Sequence, residues 1–242
     1  MKCLSTKYLF YWIIFTFFIY SCKKDNTNLT PIDTGKDYFP IQINKYIIYD
    51  VDSTVYDEIT HIPKTYKYRL KEIITQSFLN DANTTAYRLE RYIKWLDSTK
   101  SYDQIPWQFQ KVWTIIPYNS HIEKVEENIP YIKLIFPVKT NAQWDGNAKN
   151  TLGKKTYTYE YTDNPEYINN IYFEKTLKVK QYQFRTLIQY QNEVEKYAKN
   201  VGLVYKEITQ LESQTIVPNV PVENRAEKGF IYKMQIVEWG NL

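Results

Sequence analysis

The sequence predicts a mostly β protein, with a single antiparallel curved sheet or a closed or half-closed barrel, and one or two short helices at most. Three observations lead to this prediction. Apolar and polar residues alternate with a period of two in many segments, as they do in half-buried strands. Strand-like segments follow one another without regular helices between them, which favours antiparallel pairing. A chain of about 220 residues, the length after removal of a signal peptide, is a common size for one all-β barrel or sandwich.

The clearest predicted unit is a hairpin formed by residues 65–73 and 86–95. In the first segment an apolar face alternates with a basic one, and the apolar face consists of Tyr66, Tyr68 and Leu70. In the second segment the apolar face consists of Tyr87, Leu89, Ile93 and Trp95. Residues 80–84, with the sequence NDANT, are typical of a turn and would join the two strands.

Other segments with strand character complete the predicted sheet: 46–51, 110–116, 131–136, 155–161, 175–182, 201–208 and 230–239. Pro117 and Pro137 mark the ends of two of these strands, since proline suits strand ends better than central strands. Residues 164–175 could hold a short helix. Residues 186–198 fit either a helix or a strand, since apolar residues recur there at helical spacing, at Leu187, Tyr190, Val194 and Tyr197.

The N-terminus has the layout of an export signal. Lys2 and Lys7 precede a 13-residue apolar run, and the small Ser21 follows it. Because a helix needs about 20 apolar residues to span a bilayer, we expect a cleaved signal peptide at residues 1–21, with a signal anchor as the alternative. Residues 22–37 are polar and predict a flexible tether. The β-rich domain would then cover residues 38–242.

Residues 19–22, Ile-Tyr-Ser-Cys, resemble a bacterial lipobox. The resemblance implies cleavage before Cys22 and attachment of fatty acyl chains, such as palmitate, to this first mature residue. Two or more acyl chains hold a protein firmly on a membrane. We therefore expect a chain that is anchored to the cell envelope through Cys22, with the outer membrane as the preferred location.

Composition limits the partners and cofactors. The formal charge is +4, and Lys2 and Lys7 are the only charged residues before Cys22, so the mature chain would carry +2. This near neutrality gives no basis for a nucleic-acid partner. The only cysteines are Cys3 and Cys22, which leaves none for disulfides or for a zinc or iron–sulfur centre. We expect no cofactor.

No catalytic constellation is recognisable. The two histidines, His61 and His121, are 60 residues apart, and no glycine-flanked serine nucleophile occurs. Asp50 and Asp52 would point to the same face of a strand, where a solvated polar face is favoured over a calcium or acid–base site. The sequence therefore predicts neither a metal site nor catalytic residues, and we expect a protein that is not an enzyme.

Aromatic side chains are the candidates for ligand binding. Flat rings can stack on sugars or cover apolar ligands, although large rings also fill the cores of sheets. The candidates are Trp144, Trp95, Trp113 and Tyr159. Trp144 is the preferred one, because the following Asp145-Gly146 suggests a tight turn that would hold the ring near a surface.

Three blocks of the sequence resemble a group of uncharacterised lipoproteins from Bacteroidota: residues 37–53, the pair LIFPV and QWDGN in residues 134–147, and residues 195–207. The resemblance implies an envelope location and a shared fold, and it transfers no activity. The leading hypothesis is a lipid-anchored envelope protein with a non-catalytic role in binding or assembly. The alternatives are a carrier or receptor that holds a sugar or lipid in a curved-sheet cavity, and an unrecognised hydrolase.

Overall fold

Twelve antiparallel strands form one sheet that is nearly closed into a barrel in the computed structural model, which describes residues 33–242. The predicted fold class is confirmed. The strands are β1 (Lys45–Tyr56), β2 (Pro63–Leu79), β3 (Thr85–Trp95), β4 (Gln108–Pro117), β5 (His121–Glu126), β6 (Ile129–Ile135), β7 (Gln143–Asp145), β8 (Thr156–Ile168), β9 (Ile171–Arg185), β10 (Gln189–Ala198), β11 (Gly202–Glu212) and β12 (Lys228–Asn241).

The strand order follows the sequence with a single break. Each strand pairs with its neighbours in sequence, except that β6 and β7 form no ladder with each other, and β1 pairs with β12. The predicted hairpin is present as β2 and β3, and residues 80–84 form its turn. Since every ladder is antiparallel, short turns suffice to connect most of the strands.

The two free edges of the sheet meet where β6 approaches β7 and β8, a contact that we call the seam. The Ile132 amide donates a hydrogen bond to the Gly146 carbonyl at 2.9 Å, and Trp144 Nε1 donates to the Ile132 carbonyl at 2.9 Å. The Tyr159 hydroxyl donates to the Ile135 carbonyl at 2.8 Å and accepts from the Ile135 amide at 2.9 Å. The seam is therefore closed largely by side chains and not by a continuous ladder.

The two segments with possible helical character are strands. Residues 164–175 form the end of the β8–β9 hairpin, whose turn residues Asn169 and Asn170 have φ values of 49° and 64°. Residues 189–198 are strand β10. The helical content of residues 33–242 consists of short 3₁₀ turns at Lys36–Tyr38, Tyr102–Gln104 and Val222–Asn224. None of the helical segments described is long and apolar enough to cross a bilayer.

The predicted signal peptide and Cys22 lie outside the described residues. The last part of the predicted tether, residues 33–37, is described and contacts the sheet domain. The Val138 amide donates to the Thr34 carbonyl at 3.0 Å, and the Asn200 amide donates to the Asp37 carbonyl at 2.7 Å. Asp33 also forms an ion pair with Lys199 at 2.5 Å. These five residues are thus held against the domain.

Alternation along the strands separates an inner from an outer face. On β2, Tyr68, Leu70, Glu72 and Ile74 line the interior of the barrel. Arg69, between them, points outward and pairs with Asp50 of β1 at 2.7 Å. Most inward positions of the sheet are apolar and form one large core cluster. The inward charges, such as Glu72, are the exceptions, and they define the candidate site.

Candidate functional site

The interior of the barrel contains a cavity of about 370 Å³. This volume lies within the range of about 300–1,000 Å³ that is usual for small-molecule sites. Much of its wall is apolar or aromatic, including Tyr49, Leu70, Leu89, Ile115, Leu203 and Met234. The cavity therefore offers room and an apolar surface to a ligand of modest size.

Seven charged side chains line the same cavity and form a chain of alternating sign, which we call the charge chain. In order they are Arg91, Glu72, Lys124, Glu126, Lys133, Glu195 and Lys206. The successive separations between charged atoms are 3.1, 3.7, 3.3, 4.0, 2.6 and 3.2 Å. Both ends of the charge chain are cations.

Glu195 is the most completely partnered member. Its side chain is 1% exposed. It accepts hydrogen bonds from Lys133 Nζ and from the Tyr197 hydroxyl, each at 2.6 Å. Lys206 lies directly opposite it in the β10–β11 ladder. Lys133 reaches it from β6, so this contact joins the first half of the sheet to the second across the interior.

The charges around Glu195 hold one another ionised. Burial alone would raise the pKa of Glu195, but the positive charges of Lys133 and Lys206 outweigh burial, and the pKa lies well below its ordinary value. The pKa of Glu126 is lowered for the same reason, with Lys133 contributing the largest attraction. Burial would lower the pKa of Lys133, yet Glu195 and Glu126 raise it above its ordinary value.

Arg91, at the other end, is less well partnered. It lies opposite Glu72 in the β2–β3 ladder, with its Nε 3.1 Å from Glu72 Oε1. The geometry is not that of a hydrogen bond, so the buried Nε has no hydrogen-bond partner among residues 33–242. The side chain of Arg91 is only 11% exposed. An unpaired buried donor is costly, because water has been removed without a replacement.

Trp113 packs between the cations at this end. The Arg91 guanidinium carbon lies 4.1 Å from the centre of the Trp113 ring, and Lys124 Nζ lies 4.3 Å from it. Such contacts attract a cation to the electron-rich ring face. The ring thus fixes the positions of two positive charges on the cavity wall.

The charge chain contains four cations and three carboxylates, which leaves one surplus positive charge in the interior. Two further lysines line the cavity but lie outside the charge chain. Lys111 Nζ donates to the Glu127 carboxylate at 2.5 Å, which neutralises its charge, and Lys45 Nζ donates to the Asn200 carbonyl at 3.0 Å in an exposed position, where water screens its charge. The buried surplus therefore belongs to the charge chain itself.

The four aromatic candidates do not form a single site. Trp113 lines the cavity. Trp144 and Tyr159 lie at the seam, with ring centres 4.6 Å apart; Trp144 is half-buried, and Tyr159 is fully buried. Trp95 ends β3, where it is 49% exposed and packs on Tyr68. The structure brings only Trp144 and Tyr159 together, and it places them in the closure of the sheet.

The charge chain was not predicted from the sequence, although part of its signal is present there. On β3, Arg91 lies between Leu89 and Ile93 on the apolar face, and on β2, Glu72 follows Leu70 at the same period. A charge at an inward position of an alternating strand indicates either a buried pair or a functional group.

The other polar candidates do not line the cavity. Asp50 pairs with Arg69 at 2.7 Å, and Asp52 lies 3.6 Å from Lys67. His61 is exposed in a loop, and His121 begins β5. Within residues 33–242 no group of three or more histidine, cysteine, aspartate or glutamate side chains could hold a metal ion.

Comparison with known proteins assigns the chain to no family. No protein-family model matches the chain, and no curated protein matches it in sequence. One similar solved structure is that of a Bacteroides fragilis protein with a YmcC-like fold, provisionally described as exported. The two chains share 12% identity with a TM-score of 0.40, over 83% of this chain and 98% of the other. The resemblance to Bacteroidota lipoproteins thus stays a prediction.

Proposed function

We propose that this chain is a lipid-anchored protein of the cell envelope whose barrel binds a small ligand without transforming it. The observation that carries the proposal is the interior cavity of about 370 Å³, with its apolar wall and its line of fixed charges. A cavity that combines an apolar surface with a few placed polar groups is the usual form of a ligand site.

A binding role is supported by the direction of the pKa shifts. General acids and bases work best when their pKa lies near the working pH. Here the pKa values of Glu126 and Glu195 are lowered and that of Lys133 is raised, so each shift moves the pKa further from neutral pH. The charges in the cavity are suited to holding a fixed electrostatic field and not to exchanging protons.

The cavity favours a lipid-like ligand over a sugar. Sugar sites present aromatic faces for stacking together with neutral hydrogen-bonding groups. In this cavity the indole of Trp113 already has three cations over its ring, and most of the remaining wall is aliphatic or phenolic. An apolar chain would match this wall.

Ligand uptake can be tested by native mass spectrometry on the full-length chain released from a nonionic detergent. A neutral amphiphile, the methyl ester of dansyl-undecanoic acid, should bind with a stoichiometry of one per chain. The Leu89→Phe variant should bind less, because the added ring fills the cavity wall. Leu79→Phe is the matched control, since Leu79 is 65% exposed on the neighbouring strand. Equal binding by both variants and the wild type would contradict an interior site.

The lipid anchor is tested by metabolic labelling with palmitate, followed by membrane fractionation. We expect the wild type and a Cys3→Ala control to carry label and to sediment with membranes. The Cys22→Ala variant should do neither, because the acyl chains are attached through the Cys22 thiol and amine. A Cys22→Ala protein that labels and sediments like the wild type would refute the anchor.

A further inference from the structure

We propose that the ligand of the cavity carries one carboxylate on an apolar chain, and that Arg91, together with Lys124, receives the carboxylate. This inference rests on the proposed function and adds the chemistry of the head group. It follows from three features of the described residues: the sign balance of the charge chain, the unpaired donor of Arg91 and the apolar wall beside them.

The sign balance requires one more negative charge. The charge chain begins at Arg91 and ends at Lys206, so its three carboxylates alternate with four cations. Removing a charge from water without a counter-charge is costly. One added anion would bring the charge chain to neutrality, whereas a cationic ligand would double its surplus.

Arg91 is the end of the charge chain with free hydrogen-bonding capacity. Glu195, near the opposite end, already accepts two hydrogen bonds and a further ion pair. Arg91 lines the same cavity, and its Nε has no hydrogen-bond partner among the residues described. A guanidinium offers its donors in a planar fork that fits a carboxylate. Lys124, on the same Trp113 ring, supplies a second positive charge nearby.

The size of the surplus selects a carboxylate among anionic head groups. A carboxylate contributes one negative charge at neutral pH, which equals the surplus. A phosphate monoester carries a charge of about −1.5 to −2 and would leave the interior negative. The apolar wall formed by residues such as Leu70, Leu89 and Ile115 would then cover the chain attached to the carboxylate.

The primary experiment compares two probes on the wild-type, full-length chain in one nonionic detergent. The probes are dansyl-undecanoic acid and its methyl ester, which differ only in the charge of the head group, and bound ligand is counted by native mass spectrometry. We expect the acid to bind about tenfold more tightly, the effect of one charge-assisted hydrogen bond. If both probes bind equally, the head-group inference is wrong and the proposed function stands. If neither binds, the proposed function itself fails.

Variants locate the receiving group. Arg91→Met should abolish the preference for the acid while the ester still binds, and Arg91→Lys should retain part of it, since the charge remains without the planar fork. The matched control is Arg69→Met, one strand away on the outer face, which should keep the full preference. An Arg91→Met protein that still prefers the acid would overturn the assignment.

A gain-of-binding variant covers the case in which Arg91→Met fails to fold. Glu72 competes with the ligand for Arg91 and Lys124, at 3.1 and 3.7 Å. The Glu72→Gln variant removes this competition and increases the surplus charge, so its preference for the acid should rise severalfold. An unchanged or weaker preference in folded Glu72→Gln protein would count against the proposal.

Discussion

The two ends of the charge chain are built differently. Around Glu195, two hydrogen bonds of 2.6 Å and an ion pair of 3.2 Å occupy a carboxylate with almost no exposure. Around Glu72, the ion pairs are longer, at 3.1 and 3.7 Å, and the nearest guanidinium nitrogen makes no hydrogen bond within the described part of the chain. Both carboxylates lie in the same cavity, on strands of the same sheet.

The difference distinguishes the Glu195 end, whose hydrogen-bonding groups are all used within the protein, from the Arg91 end, which we call the receptive end because one donor is still free within residues 33–242. A buried carboxylate whose hydrogen-bonding capacity is filled by the protein has little left to offer a ligand, and its removal exposes an uncompensated cation. A buried cation with an unfilled donor keeps hydrogen-bonding capacity that a ligand could use, because leaving the donor unpaired costs free energy. The Glu195 end is therefore saturated by the protein, whereas the Arg91 end retains a donor that is unfilled by the residues described.

The largest expected loss of stability follows from removing the carboxylate of Glu195. The Glu195→Leu variant would leave Lys133 buried without its main partner and should lose about 3–5 kcal/mol of unfolding free energy, measured by urea denaturation. The double variant Glu195→Leu/Lys133→Met should recover part of this loss, because Lys133 is no longer left without its main partner, while Lys206 still lacks its ion pair with Glu195. A double variant as unstable as the single one would show that the loss does not come from the unpaired charge of Lys133.

The second largest effect is expected from acid, which should lower the unfolding free energy by protonating Glu195 and Glu126. The folded-state pKa values of Glu195 and Glu126 lie below their ordinary value of about 4.5, so their stabilisation is complete above that pH and declines as the pH falls further. Each carboxylate should lower the unfolding free energy by about 1.4 kcal/mol per pH unit in this range. Urea denaturation from about pH 7 to about pH 3 measures the slope.

The double variant provides the control for the acid experiment, since it lacks Glu195 and should show a shallower slope. The contribution of the lysines to stability has the opposite pH dependence. The pKa values of Lys133 and Lys206 are raised, so their stabilisation is complete below about 10.5 and declines only in stronger alkali. A wild-type stability that stays level down to about pH 3 would contradict the assigned charge states.

The smallest effect is expected at the receptive end. Arg91→Met keeps an apolar stem against Trp113 and removes the surplus charge, so the loss should be about 1–2 kcal/mol, mainly from the cation–π contact. Arg69→Met on the outer face should cost less than about 1 kcal/mol, because its ion pair with Asp50 is partly exposed. If Arg91→Met is as destabilising as Glu195→Leu, the two ends do not differ in kind.

The sequence was sufficient for the fold class because alternation is a local property. Residues 65–95 show it clearly, and β2 and β3 follow the predicted faces. The signal weakens in β10, where bulges after Glu193 and Lys196 shift the register and bring apolar residues to a spacing that resembles a helix. Nothing local distinguishes such a bulged strand from an amphipathic helix.

The candidate site was only partly accessible from the sequence. Arg91 and Glu72 occupy inward positions that alternation identifies, and their pairing follows from the β2–β3 hairpin. Lys133 and Glu195 are 62 residues apart and meet only because the sheet curves until β6 faces β10. Likewise, Trp144 and Tyr159 lie at the seam because of ring closure, a global property that no short segment encodes.

The pairing of β1 with β12 places the first and last strands of the sheet side by side in its middle. During synthesis, the edge of β1 that will face β12 has no partner until β12 has been made. The strands on either side can assemble in sequence order, hairpin by hairpin, but the ladder between β1 and β12 forms only afterwards. The fourteen residues of β12, Lys228–Asn241, therefore determine when the two halves of the sheet join around the interior cavity.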